Sequence, residues 1–201
     1  EIQPFVDALT KVTGFVKELR AAGITIRYIN MGGGLGITYK DETPPLPKDV
    51  ARAVQPLLKD CGCTLVMEPG RAIVGNGGIL VTGVLYHKEA GEKKFVIVDA
   101  GMNDLLRPSL YEAYHEIKPV IEPSSAASDV VDVVGPICES GDFLAKDRDL
   151  PPVEAGDLLC VRSAGAYGFA MSSNYNARPR AAEVLVDGAR FAVVRARETY
   201  D

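Results

Sequence analysis

The sequence predicts an α/β segment over residues 1–78 followed by an antiparallel β domain over residues 79–201. Helical periodicity and buried strands alternate in the first part, which is typical of a parallel sheet or barrel. Short alternating apolar runs separated by turns fill the second part, which is typical of antiparallel sheet. With 47% hydrophobic and 24% charged residues, the chain has enough apolar side chains to bury a substantial core.

The first predicted element is an amphipathic helix over residues 5–22. Its apolar residues recur at helical spacings, which places them on one face. They are Phe5, Val6, Leu9, Val12, Val16 and Leu19. Gly23 follows and predicts the end of the helix. Residues 24–31, ITIRYINM, then predict a buried strand.

A second helix and a second strand are predicted to follow. Three glycines, Gly32 to Gly34, come directly after the first strand, and the proline-rich residues 43–47 lead into a helical pattern over residues 48–59. Residues 64–68, TLVME, predict the second strand. A strand, loop, helix and strand in this order predict two parallel neighbours in one sheet.

The second part of the chain predicts strands from its short apolar runs. These runs are residues 79–87, 95–99, 130–134, 158–161, 182–186 and 191–195. Residues 89–93 and the pair Asp187 and Gly188 have the polar and glycine composition of hairpin turns. The change of pattern places the domain boundary near residue 78.

Composition excludes several classes of function. A net charge of −5 and a pI near 5.2 argue against a non-specific nucleic-acid surface and favour a small-molecule partner. The four cysteines, at positions 61, 63, 138 and 160, lack the paired spacing of a zinc site, so no metal site is expected. We expect them to be the reduced thiols of a cytoplasmic protein. No apolar run approaches the ~20 residues of a membrane helix, so no membrane partner is expected.

Two loops of the α/β segment carry candidate chemistry. The glycine triplet could approach a phosphate closely, although a flexible turn is an alternative that the triplet alone does not exclude. Glu68, Gly70 and Arg71 follow the second strand, at the edge where barrel active sites are built. A structural ion pair between Glu68 and Arg71 is the alternative there.

The second part contributes three further candidates. Cys138 and Glu139 lie in a charged turn, CESGD, whose alternative is an inert buried thiol. Arg107 and Tyr111 stand four residues apart in the segment of residues 103–115, where they would share a helical face that is expected to be solvated. Tyr167 lies among the small residues of SAGAYG, which favour either a packing motif or the wall of a ligand site.

Five motifs in one order give the chain a family resemblance. They are GGGLGITY, EPGRAIVGNGGIL, VDAGMNDLLRPSLY, GPICESGDFLAKDRDLP and AGAYGFAMSSNYN. The chain resembles the alanine-racemase-like decarboxylases that use pyridoxal 5'-phosphate (PLP), and among these the diaminopimelate decarboxylases. The resemblance implies the C-terminal part of a PLP-binding (β/α)8 barrel over residues 1–78 and a C-terminal β domain over residues 79–201.

The resemblance also implies how the cofactor is held. Gly33, Gly34 and the turn of Gly70 and Arg71 match residues that bind the PLP phosphate. Glu68 matches the carboxylate that faces the pyridine nitrogen and keeps it protonated. Tyr167 matches a residue beside the cofactor and the substrate.

Substrate recognition is implied by the second group of motifs. Arg71, Arg107 and Tyr111 resemble the residues that bind the distal carboxylate of meso-diaminopimelate. Glu139 resembles the acceptor of the distal ammonium, and Cys138 the residue that returns a proton to the substrate carbon. In the family, the last two residues reach the active site of the neighbouring subunit, so a homodimer with shared active sites is implied.

The chain departs from the family pattern in one respect. The family's cofactor-holding lysine and its ring-stacking histidine precede this region, and no lysine from Lys11 to Lys146 has a matching context. We therefore expect that the complete protein has an N-terminal half in addition to this chain. The start of the chain at Glu1, without an initiator methionine, favours the same expectation. Two alternatives stay open: a related decarboxylase of a basic amino acid or carboxynorspermidine, and a non-catalytic fragment.

Overall fold

A computed structural model describes residues 1–122 and 127–201. The chain divides into two compact units, Glu1–Val74 and Gly75–Asp201, whereas the sequence places the boundary near residue 78. Each unit has its own cluster of buried apolar side chains. None of the helices in the described part of the chain is long and apolar enough to cross a membrane.

The first unit contains the predicted strand, helix and strand. Its elements are α1 (Gln3–Ala21), β1 (Tyr28–Asn30), α2 (Pro47–Leu58), β2 (Thr64–Val66) and α3 (Gly70–Val74). The strands pair in parallel, with Ile29 opposite Leu65, as predicted. Both strands are shorter than the sequence indicates. The sequence also missed α3: Gly70 and Arg71 form the first turn of a short helix.

Apolar side chains from both long helices cover β1. Leu9 and Val16 of α1, Val50 and Val54 of α2 and Ile29 of β1 are almost completely buried. Their helical spacings put each pair on one face, so the helices pack against the strand through these faces. Two parallel strands with flanking helices are compatible with part of a barrel, and the barrel itself stays a prediction.

The second unit is built on one six-stranded sheet and a separate hairpin. Its elements are β3 (Leu80–Ala90), β4 (Lys93–Val98), α4 (Arg107–Tyr111), β5 (Ile117–Pro119), β6 (Asp129–Val134), β7 (Phe143–Leu150), β8 (Leu158–Val161), two 3-10 turns (Phe169–Met171 and Tyr175–Ala177), β9 (Glu183–Asp187) and β10 (Arg190–Arg195). The sheet order is β5-β8-β3-β4-β6-β7. Both predicted hairpins are confirmed, because β3 pairs with β4 and β9 with β10.

The prediction of a purely antiparallel domain is wrong in one place. β4 and β6 run parallel, with Val96 opposite Val133. The long connection between them contains α4 and β5, and a connection of this length allows the chain to return in the same direction. The sequence prediction also missed β5 and β7, which contain too few apolar alternations to stand out.

The core of the second unit lies on the sheet. Val96, Val98, Val133, Leu144 and Leu159 are almost inaccessible to solvent and come from four different strands. Each β-branched or leucine side chain at these positions contributes about 1.5 to 3 kcal/mol through burial. Such a core fixes the strand ends, and the loops that carry the candidate functional residues extend from those ends.

Candidate functional site

The loops that follow β1 and β2 lie side by side. Met31 N donates to Val66 O at 3.0 Å, and Glu68 N donates to Gly32 O at 2.8 Å. These bonds extend the parallel pairing past the strand ends and place the glycine loop beside Glu68. The two loops that the sequence singled out in this unit are therefore neighbours.

Close approach of the two loops requires glycine at position 33. A Cβ atom built on Gly33 would lie 2.6 Å from Glu68 O, closer than any real side chain is found. On either side, Gly32 and Gly34 have φ values of +67° and +94°, in the left-handed region that favours glycine. The loop thus presents bare backbone at the end of a parallel strand, an arrangement that suits a phosphate.

Asn30 connects this loop to Glu68, and sequence analysis missed it. Its Nδ2 donates to Glu68 Oε1 at 2.5 Å, and its Oδ1 accepts from Gly32 N at 2.8 Å. One amide therefore orients both the carboxylate and the glycine loop. Its position as the last residue of β1, directly before the loop, was the available signal.

Replacing Gly33 with Ala in the full-length protein should separate the two loops. We expect the affinity for PLP to fall about tenfold or more, because the new Cβ displaces the Glu68 carbonyl or the loop. Fluorescence titration with PLP measures this. Gly14→Ala in α1 is the matched control: nothing lies within 4 Å of that Cβ, and alanine should stabilise the helix by about 1 kcal/mol. Unchanged PLP affinity in Gly33→Ala would contradict a phosphate loop.

In the second unit, Arg107 opens a short helix and is buried. Arg107 and Tyr111 lie in one helix, as predicted: α4 spans Arg107–Tyr111, and Glu112 ends it with a φ of 52°. The prediction of a solvated face fails for Arg107, which is only 8% exposed, whereas Tyr111 is 62% exposed. A buried guanidinium costs several kcal/mol unless it is well bonded, so Arg107 requires specific partners.

His115 is one partner of Arg107 that the sequence analysis missed. Arg107 Nη1 lies 2.9 Å from His115 Nε2, and His115 Nδ1 lies 2.9 Å from Arg162 O. Burial lowers the pKa of His115, and the positive charges of Arg107 and Arg148 lower it further. The imidazole is therefore neutral near pH 7. A histidine shortly after an arginine was the only sequence signal.

Asp142 joins the Arg107 segment to the loop of Cys138 and Glu139. Its buried carboxylate accepts from Met102 N at 2.7 Å and from Ile137 N at 2.6 Å. A Cβ on Gly135 would lie 2.5 Å from this carboxylate, so the loop closes tightly around it. Two sequence-distant motifs are thus held together by one carboxylate.

Glu139 and Cys138 lie exposed on this loop. Tyr175 Oη donates to Glu139 Oε2 at 3.2 Å. This hydrogen bond to the carboxylate raises the pKa of Tyr175, so the hydroxyl keeps its proton and remains a donor. Tyr175 was quoted in a motif but not recognised as a partner of Glu139.

The segment that follows Tyr167 is held against Asn103, which lies shortly before Arg107. Tyr167 is 39% exposed and has a φ of 62°, a strained backbone for a tyrosine. Beyond it, Ser173 N donates to Asn103 O at 2.9 Å, and Arg178 Nε donates to Asn103 Oδ1 at 3.2 Å. Arg107, Tyr111, Cys138, Glu139 and Tyr167 all lie in the second unit, and Gly33, Gly34, Glu68, Gly70 and Arg71 lie in the first.

Several lysines of the second unit are engaged elsewhere. Lys93 bonds Asp147 and Asp132, and these bonds raise its pKa. Lys94 bonds Asp129, with the same effect on its pKa. Both amines are held protonated, which is the form that does not attack a carbonyl group.

Comparison with known proteins defines the class. Residues 15–165 match the sequence model of the "Pyridoxal-dependent decarboxylase, C-terminal sheet domain". The chain belongs to this family of pyridoxal-dependent decarboxylases.

Individual relatives are more specific. The chain is 57% identical over 199 residues to the diaminopimelate decarboxylase of Pseudomonas aeruginosa, covering 99% of this chain and 48% of that protein. It superposes on a crystal structure from Aquifex aeolicus with a TM-score of 0.96 and 52% identity, over 100% of this chain and 50% of the other. It superposes on the crystal structure of Helicobacter pylori diaminopimelate decarboxylase complexed with L-lysine with a TM-score of 0.92 and 42% identity, over 100% of this chain and 49% of the other. The chain spans about half the length of the curated relatives it matches.

Proposed function

We propose that this chain is the C-terminal half of an enzyme that decarboxylates meso-2,6-diaminopimelate to L-lysine and CO2 with PLP. The first unit, in this proposal, is the last part of the PLP-binding barrel, and the second is the C-terminal β domain. The observation that carries the substrate assignment is the buried, oriented Arg107 on the same framework as Glu139. The names of the relatives support it.

The residues of the first unit fit the cofactor. The backbone of Gly33 and Gly34, with the first turn of α3 at Gly70 and Arg71, would bind the phosphate. Glu68, oriented by Asn30, would accept a hydrogen bond from the pyridine nitrogen and keep it protonated. When bound, PLP supplies an electron sink for the pair left behind as CO2 departs.

The second unit would recognise the end of the substrate that does not react. Arg107 carries a guanidinium group that can bind a carboxylate with two charge-assisted hydrogen bonds, and the Tyr111 hydroxyl can add a third. Glu139 is the acceptor for the distal ammonium, and Tyr167 forms a wall beside it. Ornithine and lysine lack the distal carboxylate. They would not form these hydrogen bonds with Arg107, which disfavours the alternative substrates.

Cys138 would deliver the proton that replaces CO2. The exposed thiol at the turn can act on a substrate outside its own unit, and we propose that it does so in the neighbouring subunit of a homodimer. Tyr175 and Asp142 fix the turn that carries it. The thiol acts in the transition state and takes little part in substrate binding.

Replacing Cys138 with Ala in the full-length protein should therefore lower kcat about a hundredfold or more and change KM little. Steady-state kinetics with meso-diaminopimelate measures both constants. The matched control is Cys160→Ala, a half-buried thiol of β8, which should leave kcat within about threefold of the parent. A rise in KM alone would contradict the proton-donor role.

Mixed dimers test the sharing of the site. Subunits with Cys138→Ala, mixed with subunits that lack the cofactor-holding lysine, should regain activity, because one of the two sites is then intact. Complete failure to complement, with dimers verified by native mass spectrometry, would exclude a shared site.

A non-catalytic fragment is the other candidate, because no lysine of this chain stands in the sequence context of the family's cofactor-holding lysine. The test is CO2 release from meso-diaminopimelate with added PLP, comparing this chain alone with the full-length protein. We expect turnover by the full-length protein only. Absence of turnover by both would contradict the proposed function.

A further inference from the structure

His115 is a fully buried histidine without an assigned role. It lies between the end of α4 and β5, and its relative exposure is 0%. Its two ring nitrogens contact Arg107 Nη1 and Arg162 O, both at 2.9 Å. The imidazole is therefore a rigid link between the β8 end of the sheet and the Arg107 side chain.

The contacts define which ring nitrogen carries the proton. A guanidinium only donates hydrogen bonds, so Nε2 of His115 must accept from Arg107. A backbone carbonyl only accepts, so Nδ1 must donate to Arg162 O. Both bonds are satisfied by one form of the ring: neutral, with the proton on Nδ1.

The positive charges of Arg107 and Arg148 oppose a second proton on the His115 ring. Arg107 approaches from α4, and Arg148 from β7 donates to His115 O at 2.6 Å while stacking on Tyr114. The carboxylate of the next residue in the chain, Glu116, is paired with Arg162 and Lys118. A protonated ring would place a donor against a donor at Nε2 and a third positive charge among two arginines.

We propose that His115 is the positioning residue that orients Arg107 towards the substrate carboxylate, and that only its neutral form, protonated on Nδ1, does so. The inference rests on the proposed function of Arg107. Protonation of the ring would convert the acceptor at Nε2 into a donor and release the guanidinium. Substrate affinity, rather than the chemical step, should then be lost in acid.

The direction of the pH effect follows from the lowered pKa. The ordinary pKa of histidine in an unfolded chain is 6.5, and that of folded His115 lies below it. Between these two values the unfolded state binds more protons than the folded state, so stability falls with decreasing pH. The contribution of His115 is complete above pH 6.5 and is lost as the pH drops towards its folded pKa.

Two substitutions test the two hydrogen bonds of the His115 ring separately. Asparagine at position 115 keeps a donor near Nδ1 and removes the acceptor for Arg107. Glutamine places a carbonyl oxygen near Nε2, keeps that acceptor and does not titrate. The exposed His87 of β3 offers the matched control, His87→Asn.

In the full-length protein, His115→Asn should raise KM for meso-diaminopimelate about tenfold at pH 8, with a much smaller change in kcat. His115→Gln should recover most of the affinity and abolish the rise in KM that the parent shows in acid. His87→Asn should retain the parent's pH profile. Equal KM values in the parent and His115→Asn, or an acid rise that persists in His115→Gln, would overturn the proposal.

Nitrogen-15 NMR of the parent provides a test that does not depend on folding of a variant. The His115 ring should show a protonated Nδ1 and an unprotonated Nε2 at pH 7, and the reverse tautomer would overturn the proposal.

The Arg107→Ala variant distinguishes failure of the role of His115 from failure of the proposed function. Loss of selectivity in Arg107→Ala without loss of affinity in His115→Asn refutes only the role of His115. Unchanged selectivity in Arg107→Ala refutes the proposed function itself.

Discussion

Glu68→Gln in the full-length protein is expected to slow decarboxylation by several powers of ten, each worth about 1.4 kcal/mol of barrier. Glutamine has the shape of glutamate and its Oε1 can still accept from Asn30, so the loop geometry should be kept. It lacks the negative charge that, in the proposed site, would hold the pyridine nitrogen of PLP protonated. The measurements are kcat at saturating meso-diaminopimelate and the PLP content of the purified protein.

PLP content should stay at the parent level in Glu68→Gln, since other residues would contact the phosphate in the proposed site. Glu18→Gln, on the exposed face of α1, is the matched control and should behave as the parent. A Glu68→Gln variant with kcat within about threefold of the parent would show that Glu68 is a structural residue.

Arg107→Ala should reduce kcat/KM for meso-diaminopimelate at least a hundredfold, about 2.7 kcal/mol. The distal carboxylate would enter a partly desolvated site without its partner, whereas lysine, which has no such carboxylate, loses nothing. The kcat/KM for any slow decarboxylation of lysine should therefore not fall in parallel. The ratio of kcat/KM for diaminopimelate to kcat/KM for lysine should decrease. Kinetics with both substrates tests this.

Arg107→Lys should recover little, because an ammonium cannot reproduce two parallel hydrogen bonds to a carboxylate and cannot reach His115 Nε2 in the same geometry. Arg190→Ala is the matched control, since this arginine lies exposed on the β9–β10 hairpin. Equal losses on both substrates would mean that Arg107 supports the fold and selects nothing.

Local patterns predicted the elements whose formation depends on local sequence. The spacing of Leu9 and Val16 predicts α1, and Asp187 and Gly188 predict the last hairpin. The strand β7, FLAKDRDL, has few apolar residues and contains Asp147 at a φ of 46°, so it exists because β6 pairs with it. The parallel pairing of β4 with β6 is likewise a non-local contact that no local pattern reports.

The sequence predicted the residues of the candidate site but not their environments, because these environments depend on non-local contacts. The order of motifs indicated Glu68, Arg107, Cys138 and Glu139. It could not show that Arg107 is buried, because its environment depends on His115 and on the carbonyl of Arg162, which lies at the end of a different strand. Orientation by distant backbone groups is a property of the folded chain and leaves no local signature.

The central claim is that this chain belongs to a decarboxylase whose Arg107 selects a substrate with a distal carboxylate. The most direct measurement is kcat/KM of the full-length protein with PLP on meso-diaminopimelate and on ornithine, under identical conditions. We predict L-lysine and CO2 from diaminopimelate, with a preference of about a hundredfold or more over ornithine. Equal rates on the two substrates, or a preference for ornithine, would contradict it.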